Sequence, residues 1–397
     1  MSDYDVLIVG AGSVGSRAAQ RLAAFGYRVA VLEKNQQIGH KLSCTGIIGR
    51  ECAELFEVDR SCFLQEAKSA KLFAPCGEYI TVNREEPQAY IVDRLAFDRS
   101  MARKAQDAGA EYHLSSKVSD IAISDNQVVI EIDQRKTVSG KAVLLASGFG
   151  SKLPSKLGLG QIKKVITGVQ TEVPTNGIDE TEVYFSHKIA PGFFGWLVPV
   201  PDSRARVGLF AKEKPGEYLR KLLAQLVLEG KISSAEADFA YGGIPLKPLS
   251  RTYSDRVLVI GDAAGQVKPT TGGGIYYGLL CADFAAETIH QAFKKNDFSK
   301  KILSQYEKLW KEKLGRELKI DYFARMFYNR LSDKKIDRIF HVVRDNDIHE
   351  SLLSSTYKSF DWHGELVLDG LKQLGPWSPL FWKVMPAYFL KSLRRNH

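Results

Sequence analysis

The sequence has no uninterrupted run of about 18 or more apolar residues, the length a spanning helix needs. An integral membrane architecture is therefore not expected, and the chain reads as soluble or peripheral. Its five cysteines, at positions 44, 52, 62, 76 and 281, are odd in number and show no CxxC spacing. They supply neither a metal-ligand pattern nor a disulfide framework, so no metal is expected and a reducing cytoplasm is the expected setting. The N-terminus enters an apolar segment at once, without the basic start, apolar core and cleavage site of a signal peptide. Finger, helix-turn-helix and aromatic RNA-binding signatures are missing too, so the formal charge of +9 is not read as nucleic-acid binding. That charge favours anionic partners such as phosphorylated substrates or acidic headgroups. What remains is an ordinary globular composition, 44% hydrophobic and 25% charged over 397 residues, enough for about two or three domains.

The strongest signal is residues 4–34, YDVLIVGAGSVGSRAAQRLAAFGYRVAVLEK. An apolar strand, Val6 to Val9, runs into Gly10-x-Gly12-x-x-Gly15, and Ser13 and Val14 open the helix that follows. Gly10 permits the tight turn, Gly12 lets the backbone approach a pyrophosphate, and Gly15 lets helix and strand pack closely. The helix N-terminus offers free N–H groups to the phosphates. A second strand ends at Glu33 and Lys34. Glu33 lies 18 residues after Gly15, where a carboxylate accepts the hydroxyls of an adenosine ribose. A lone GxGxxG is weak evidence, but strand, helix, strand and terminal acid together indicate a dinucleotide site. FAD and NAD fit this segment equally.

Residues 255–280, DRVLVIGDAAGQVKPTTGGGIYYGLL, discriminate between them. A strand ends in Gly261-Asp262, and Pro269 precedes Gly272, Gly273 and Gly274, which open a helix at Ile275. Asp262 at a strand's carboxyl end suits a sugar-like hydroxyl chain. The glycine amides are placed to stabilise negative charge on the N1/C2=O side of a reduced flavin. NAD dehydrogenases do not need this second segment.

Together with VDRLAFDRSMARKAQDAGAEY (92–112), these segments resemble the p-hydroxybenzoate-hydroxylase-like FAD superfamily. The resemblance implies an α/β fold: a Rossmann-like FAD-binding domain with an inserted antiparallel-sheet substrate domain and a C-terminal helical region. Residues 1–60, 90–165 and 245–297 are expected in the FAD-binding domain, 61–89 and 166–244 in the substrate sheet, and 298–397 in the helical region. It further implies that Arg94 contacts the cofactor, although a solvated charge at a helix start is the plainer alternative. Val118 and Ala146 to Gly148, in LLASG (144–148), are expected near the adenosine half.

The branch is indicated by VYFSHKIAPGFFGWLVPVPDSRARVGLF (183–210). Phe194-x-Trp196-x-Val198-Pro199 resembles the YxWxFP signature of geranylgeranyl reductases, with Phe194 in place of Tyr and Val198 in place of Phe. The family's downstream GxG is partly kept as Gly208-Leu209-Phe210. KLSCTGIIG (41–49) resembles the cysteine loop of the archaeal-type geranylgeranyl reductases. Taken alone, FFGWLVPV is as consistent with a core strand, and flavin-dependent halogenases carry a related WxWxIP.

This resemblance implies an FAD-dependent reductase that saturates C=C bonds of a geranylgeranyl lipid or geranylgeranyl diphosphate. Prenyl-quinone side-chain reduction and aromatic monooxygenation or halogenation are the alternatives. Phe193, Phe194, Trp196, Tyr276 and Tyr277 are the candidate substrate wall, the two tyrosines equally readable as helix packing. Cys44 and Tyr276 are the candidate catalytic residues, Cys44 also lying among the cofactor contacts; an inert, buried Cys44 is the alternative. His187 is read either as a headgroup ligand or as a loop residue. No second GxGxxG is present, so NAD(P)H, ferredoxin or another external donor is expected to supply electrons.

From residue 298 the pattern turns helical and basic, with a further short helix starting at Ser332 or Asp333. These helices are expected to cover one side of the substrate cavity. The tail 375–397 has five aromatic residues, Lys383, Lys391, Arg394 and Arg395, and no acidic residue. It is read either as a peripheral membrane contact or as a closing helix pair, with prolines 376, 379 and 386 against one continuous helix.

Overall fold

The computed structural model describes residues 3–39, 44–350 and 359–373; the tail 375–397, with its expected membrane contact, lies outside the described residues. Short, wholly apolar runs such as VLIV and AVLL form strands buried on both faces, as a parallel sheet requires. They build a six-stranded sheet in the order Tyr253–Ser254, Val257–Val259, Ala142–Leu145, Val6–Val9, Val29–Leu32, Glu111–His113, parallel throughout except at the Tyr253–Ser254 edge. The period of two divides each strand between two layers. Val6, Ile8, Val29, Val31 and Leu144 face the helices Ser13–Ala24, Arg94–Asp107 and Ile275–Lys295. Leu7, Val9, Ala30, Leu32 and Leu145 face a three-stranded meander, Val118–Ile123, Val128–Ile132 and Lys136–Gly140.

A second sheet of seven strands runs in the order Ala240–Pro245, Val165–Pro174, Arg204–Ala211, Gly195–Val200, Thr181–Tyr184, Ser69–Phe73, Tyr79–Asn83. It is antiparallel apart from the parallel pair Thr181–Tyr184 and Ser69–Phe73. One face packs Val169, Leu197, Val207 and Leu209 against helix Pro215–Leu228. The other face carries Trp196, Val198 and Phe210 in a cluster with Ile91, Ile166, Phe193 and Leu246. A three-stranded sheet, Ile47–Gly49, Ala89–Val92 and Phe63–Ala67, holds the end of the Cys44 loop.

The long helix Lys300–Tyr328 does two jobs, where the sequence suggested only cover for a cavity. Its first half buries Leu303, Tyr306, Trp310 and Leu314 in the core under the parallel sheet. Its second half packs Phe327 with Phe185 and with Ile336 of helix Asp333–Asp345. No helix among the described residues is long and apolar enough to cross a membrane.

Candidate functional site

The first glycine loop divides its glycines by purpose. Gly10 adopts φ +106, and a side chain there would collide with the Ala146 carbonyl; one at Gly15 would collide with the Gly10 carbonyl. Gly12 is exposed, and a Cβ on it would meet nothing within 4 Å. The open ground thus lies at the start of helix Ser13–Ala24, where its N–H groups point. Val14 fills the space left by Gly261, whose Cβ would lie 3.2 Å from Val14 Cγ1, and so keys the two cofactor segments together.

Glu33 is buried at the end of its strand. Its Oε2 accepts from the Ala11 N–H at 3.0 Å, and Oε1 accepts from the Asn35 N–H at 2.9 Å. Lys34 points to solvent. Val118 begins the meander two residues after Ser116, whose N–H donates to the Glu33 carbonyl at 2.7 Å. Ala146 is tied to Val9 by a 2.9 Å backbone bond, and Gly148 adopts φ +71 with open space beside it. These residues converge on one end of the parallel sheet.

Arg94 opens its helix just after Asp93, whose side chain caps the Leu95 and Ala96 N–H groups. Its Nη2 donates to Asp98 Oδ1 at 3.0 Å, and the same oxygen accepts from the Ser13 N–H at 3.1 Å. Arg94 Nε and Nη1 are buried without partners among the described residues. Burial pulls the guanidinium pKa down, but Asp98, Cys44 and Asp262 outweigh it and hold the charge. Burial conversely pushes the Asp262 carboxyl up against the pull of Arg94. Two unpartnered guanidinium nitrogens, the open Gly12 and the space beside Gly148 fit FAD; Arg94 is not a solvated charge.

The second segment is anchored from below. Gln266 accepts from the Gly261 N–H at 2.8 Å and donates to Tyr306 of the long helix at 2.7 Å. Around Pro269 the chain closes tightly, with Lys268 N–H to Gly273 carbonyl at 3.0 Å and Gly272 N–H to Lys268 carbonyl at 2.9 Å. Gly274 sits beside Asp262, its Cβ position 2.8 Å from Oδ1, and Ile275 begins the helix. At Gly272, φ +74, a Cβ would lie 2.8 Å from Phe210 Cζ. Here the aromatic face of the inserted sheet touches the cofactor loop.

On that face the rings rest over strand partners that lack side chains. Trp196 pairs with Gly208 and Phe210 with Gly168. A Cβ on Gly208 would lie 2.6 Å from Trp196 Cε2, and one on Gly168 2.9 Å from Phe210 Cε1. Trp196 and Phe210 rings are 4.8 Å apart, Phe193 and Phe210 5.2 Å, and Phe194 and Trp196 6.2 Å. The structure therefore brings Phe193, Phe194 and Trp196 together. Tyr276 and Tyr277 belong to the other core. Tyr276 donates its hydroxyl to Glu51, and Tyr277 packs 5.7 Å from the Trp362 ring. Burial and Glu51 raise the Tyr276 pKa. His187 is not on a solvated loop: its Nδ1 accepts from the Gly192 N–H at 3.0 Å and its ring stacks 5.3 Å from Tyr328.

Cys44 is partly exposed and lines a cavity of about 340 Å³ with Arg94, Gln170, Arg206 and Asp238. Thr45 donates to Gln170 at 3.0 Å, and Arg206 Nη1 donates to the Thr45 carbonyl at 2.6 Å. Arg206 thus fixes the cysteine loop to the inserted sheet, a role the sequence signals only by its place two residues before Gly208. A buried charge cluster was also missed. Lys268 Nζ lies 3.5 Å from Asp361 Oδ1. Asp321 is fully buried, with neither carboxylate oxygen hydrogen-bonded among the described residues. Burial and Glu317 push its pKa up to about 7 against the attraction of Lys268.

A parallel nucleotide sheet joined to an antiparallel sheet, with a cysteine loop and two glycine-lined segments between them, defines an FAD-dependent flavoprotein. Residues 5–361 match the family model described as lycopene cyclase protein. The digeranylgeranylglycerophospholipid reductase of Methanocaldococcus jannaschii is 32% identical over 359 residues, covering 86% of this chain and 91% of its own. Digeranylgeranylglycerophospholipid reductase 1 of Methanococcoides burtonii is 30% identical, covering 87% of this chain and 88% of its own. Among solved structures, a geranylgeranyl bacteriochlorophyll reductase-like protein from Thermoplasma acidophilum shares the fold with a TM-score of 0.85 at 24% identity, covering 96% of this chain and 99% of its own. The chain belongs to the family that the matching model describes and to the geranylgeranyl reductases.

Proposed function

We propose that this protein is an FAD-dependent reductase that saturates C=C bonds of geranylgeranyl chains carried on a lipid or a diphosphate. The observation that carries the reading is the contact of the Trp196–Phe210 face with Gly272 of the cofactor loop. An apolar aromatic face against a loop that would line the redox group supports a prenyl chain there, and the similar proteins are named digeranylgeranylglycerophospholipid reductases.

An isolated alkene has no carbonyl to polarise, so two carbons must receive a hydride and a proton while water and oxygen are kept away. When bound and reduced, FAD supplies the hydride. The chain's residues supply the rest. Helix Ser13–Ala24 and Glu33 would hold the adenosine and pyrophosphate end, together with Val118, Ala146 and Gly148. Arg94 and Asp262 would hold the polar middle, and Gly274 and Ile275 at the helix start would offer N–H groups to developing negative charge, the Gly272 N–H being turned to the Lys268 carbonyl. Phe193, Phe194 and Trp196 orient the prenyl chain. Tyr276 is engaged with Glu51, so Cys44, on the cavity wall, is the better placed of the two catalytic candidates. It shapes the proton path or donates through water.

Residues 1–60, 90–165 and 245–297 act as the FAD-binding domain, with 61–89 and 166–244 as the substrate sheet. NAD(P)H or ferredoxin is the external donor, and the protein works in the cytoplasm, at the membrane surface when its substrate is a lipid. Anaerobic incubation of dithionite-reduced protein with a geranylgeranyl lipid tests this by mass spectrometry. Products gain two hydrogens per saturated bond. Unchanged lipid, with oxygen-dependent hydroxylation or halogenation of aromatics instead, overturns the reading.

A further inference from the structure

At the outer end of the aromatic face stand three cations that no carboxylate among the described residues neutralises. Lys164 Nζ donates to the Tyr322 hydroxyl at 2.7 Å. Lys247 Nζ lies 4.2 Å from the centre of the same ring. Arg325, one turn further along the long helix, has its guanidinium 3.9 Å from the centre of the Phe193 ring. Among the described residues none of these three makes an ion pair, and Arg325 Nε is buried with no hydrogen-bond partner. Beyond Arg325, the Tyr328 hydroxyl and His187 Nε2 are likewise buried and unpartnered.

This grouping is built by the fold. Backbone hydrogen bonding of Leu246 N–H to the Lys164 carbonyl at 2.8 Å clamps the two lysine-bearing segments together. Ile166 and Leu246, close in sequence to the lysines, belong to the same buried cluster as Phe193, Trp196 and Phe210. Lys164 and Lys247 are exposed, Tyr322 is buried and Arg325 is partly buried. The cations therefore rim the apolar wall, with the lysines outermost.

A guanidinium partly withdrawn from water, stacked on Phe193 with its Nε buried, carries a desolvation cost, and burial already pulls the Arg325 pKa down to about 10. An incoming phosphate removes that cost. Its oxygens match the arginine fork, while the lysines act as mobile point charges that attract it. A neutral or cationic headgroup gains nothing here.

Resting on the prenyl-chain reading above, we propose that Lys164, Lys247 and Arg325 form an anion subsite that holds a phosphate or diphosphate covalently joined to the prenyl chain. Tyr322 orders Lys164, and Tyr328 and His187 add further hydrogen-bonding atoms.

The test is calorimetric binding to the oxidised, FAD-loaded protein, which needs no turnover. Geranylgeranyl diphosphate, geranylgeraniol and inorganic diphosphate are the probes. The native protein binds the prenyl diphosphate about tenfold or more tightly than the alcohol, and Arg325→Gln removes most of that advantage without weakening the alcohol. Arg325→Lys restores part of it. Lys164→Ala and Lys247→Ala, both at exposed positions, lower the diphosphate affinity and flatten its salt dependence. Equal affinity for alcohol and prenyl diphosphate in the native protein overturns the subsite. So does a parallel loss of both ligands in Arg325→Gln, or inorganic diphosphate binding as tightly as the prenyl compound, which would make a free anion the occupant. Selective binding of the prenyl diphosphate by a protein that reduces no double bond would sustain the subsite and overturn the reductase reading.

Discussion

Asp321→Asn stabilises the protein above neutral pH. In the fold the Asp321 carboxyl is fully buried and its pKa is raised from 3.8 to about 7. Because the folded state holds the proton more tightly than the unfolded one, stability falls as pH rises through the interval between those two values. A shift of about three units corresponds to roughly 4 kcal/mol once both states are ionised. That figure is a ceiling, since the asparagine also removes the attraction of Asp321 for buried Lys268, which keeps Asp361 at 3.5 Å. The difference between variant and native protein therefore grows by about 2 kcal/mol between pH 5 and pH 8. Urea unfolding of the FAD-loaded protein at both values, followed by flavin fluorescence and far-UV circular dichroism, measures it. A variant less stable than the native protein at the higher pH would show that the ionised carboxylate makes a favourable contact, and would refute the argument.

Gly12→Ala folds normally, since its Cβ meets nothing within 4 Å, but loses FAD affinity by about tenfold or more; fluorescence titration checks this. Gly15→Ala instead lowers stability, because its methyl group collides with the Gly10 carbonyl. Gly208→Ala pushes the Trp196 indole from its seat, costing about 1–3 kcal/mol, shifting tryptophan fluorescence and raising KM for a prenyl substrate more than it lowers kcat. Cys44→Ala and Cys44→Ser both slow alkene reduction while leaving the flavin spectrum intact; full rate and an unchanged product pattern in both would make the cysteine structural.

The parallel sheet was legible because its strands are short apolar runs, each followed by turn glycines. The two cofactor segments were legible because Gly10, Gly12, Gly15 and Gly272 serve backbone geometry that no other residue serves as well. The aromatic strand reads either as core or as a substrate wall in sequence, because the glycines beneath its rings, Gly208 and Gly168, lie on other strands. Tyr276 and Tyr277 follow the glycines in sequence, but the direction in which a helix projects its first side chains is set by packing. They turn toward Glu51 and Trp362, away from Phe194. The cluster of Lys268, Asp321 and Asp361 joins three distant segments, and nothing local in any of them marks a buried charge. The same holds for Lys164, Lys247 and Arg325, which read separately as ordinary solvated cations.

The central claim is that reduced flavin on this chain passes its electrons to an isolated prenyl double bond. Photoreduced, FAD-loaded protein mixed anaerobically with a geranylgeranyl substrate tests this directly through the flavin absorbance. The expected result is reoxidation without oxygen, one flavin equivalent for each double bond saturated. A flavin that stays reduced until oxygen is admitted, with the prenyl chain recovered unchanged, would contradict the account.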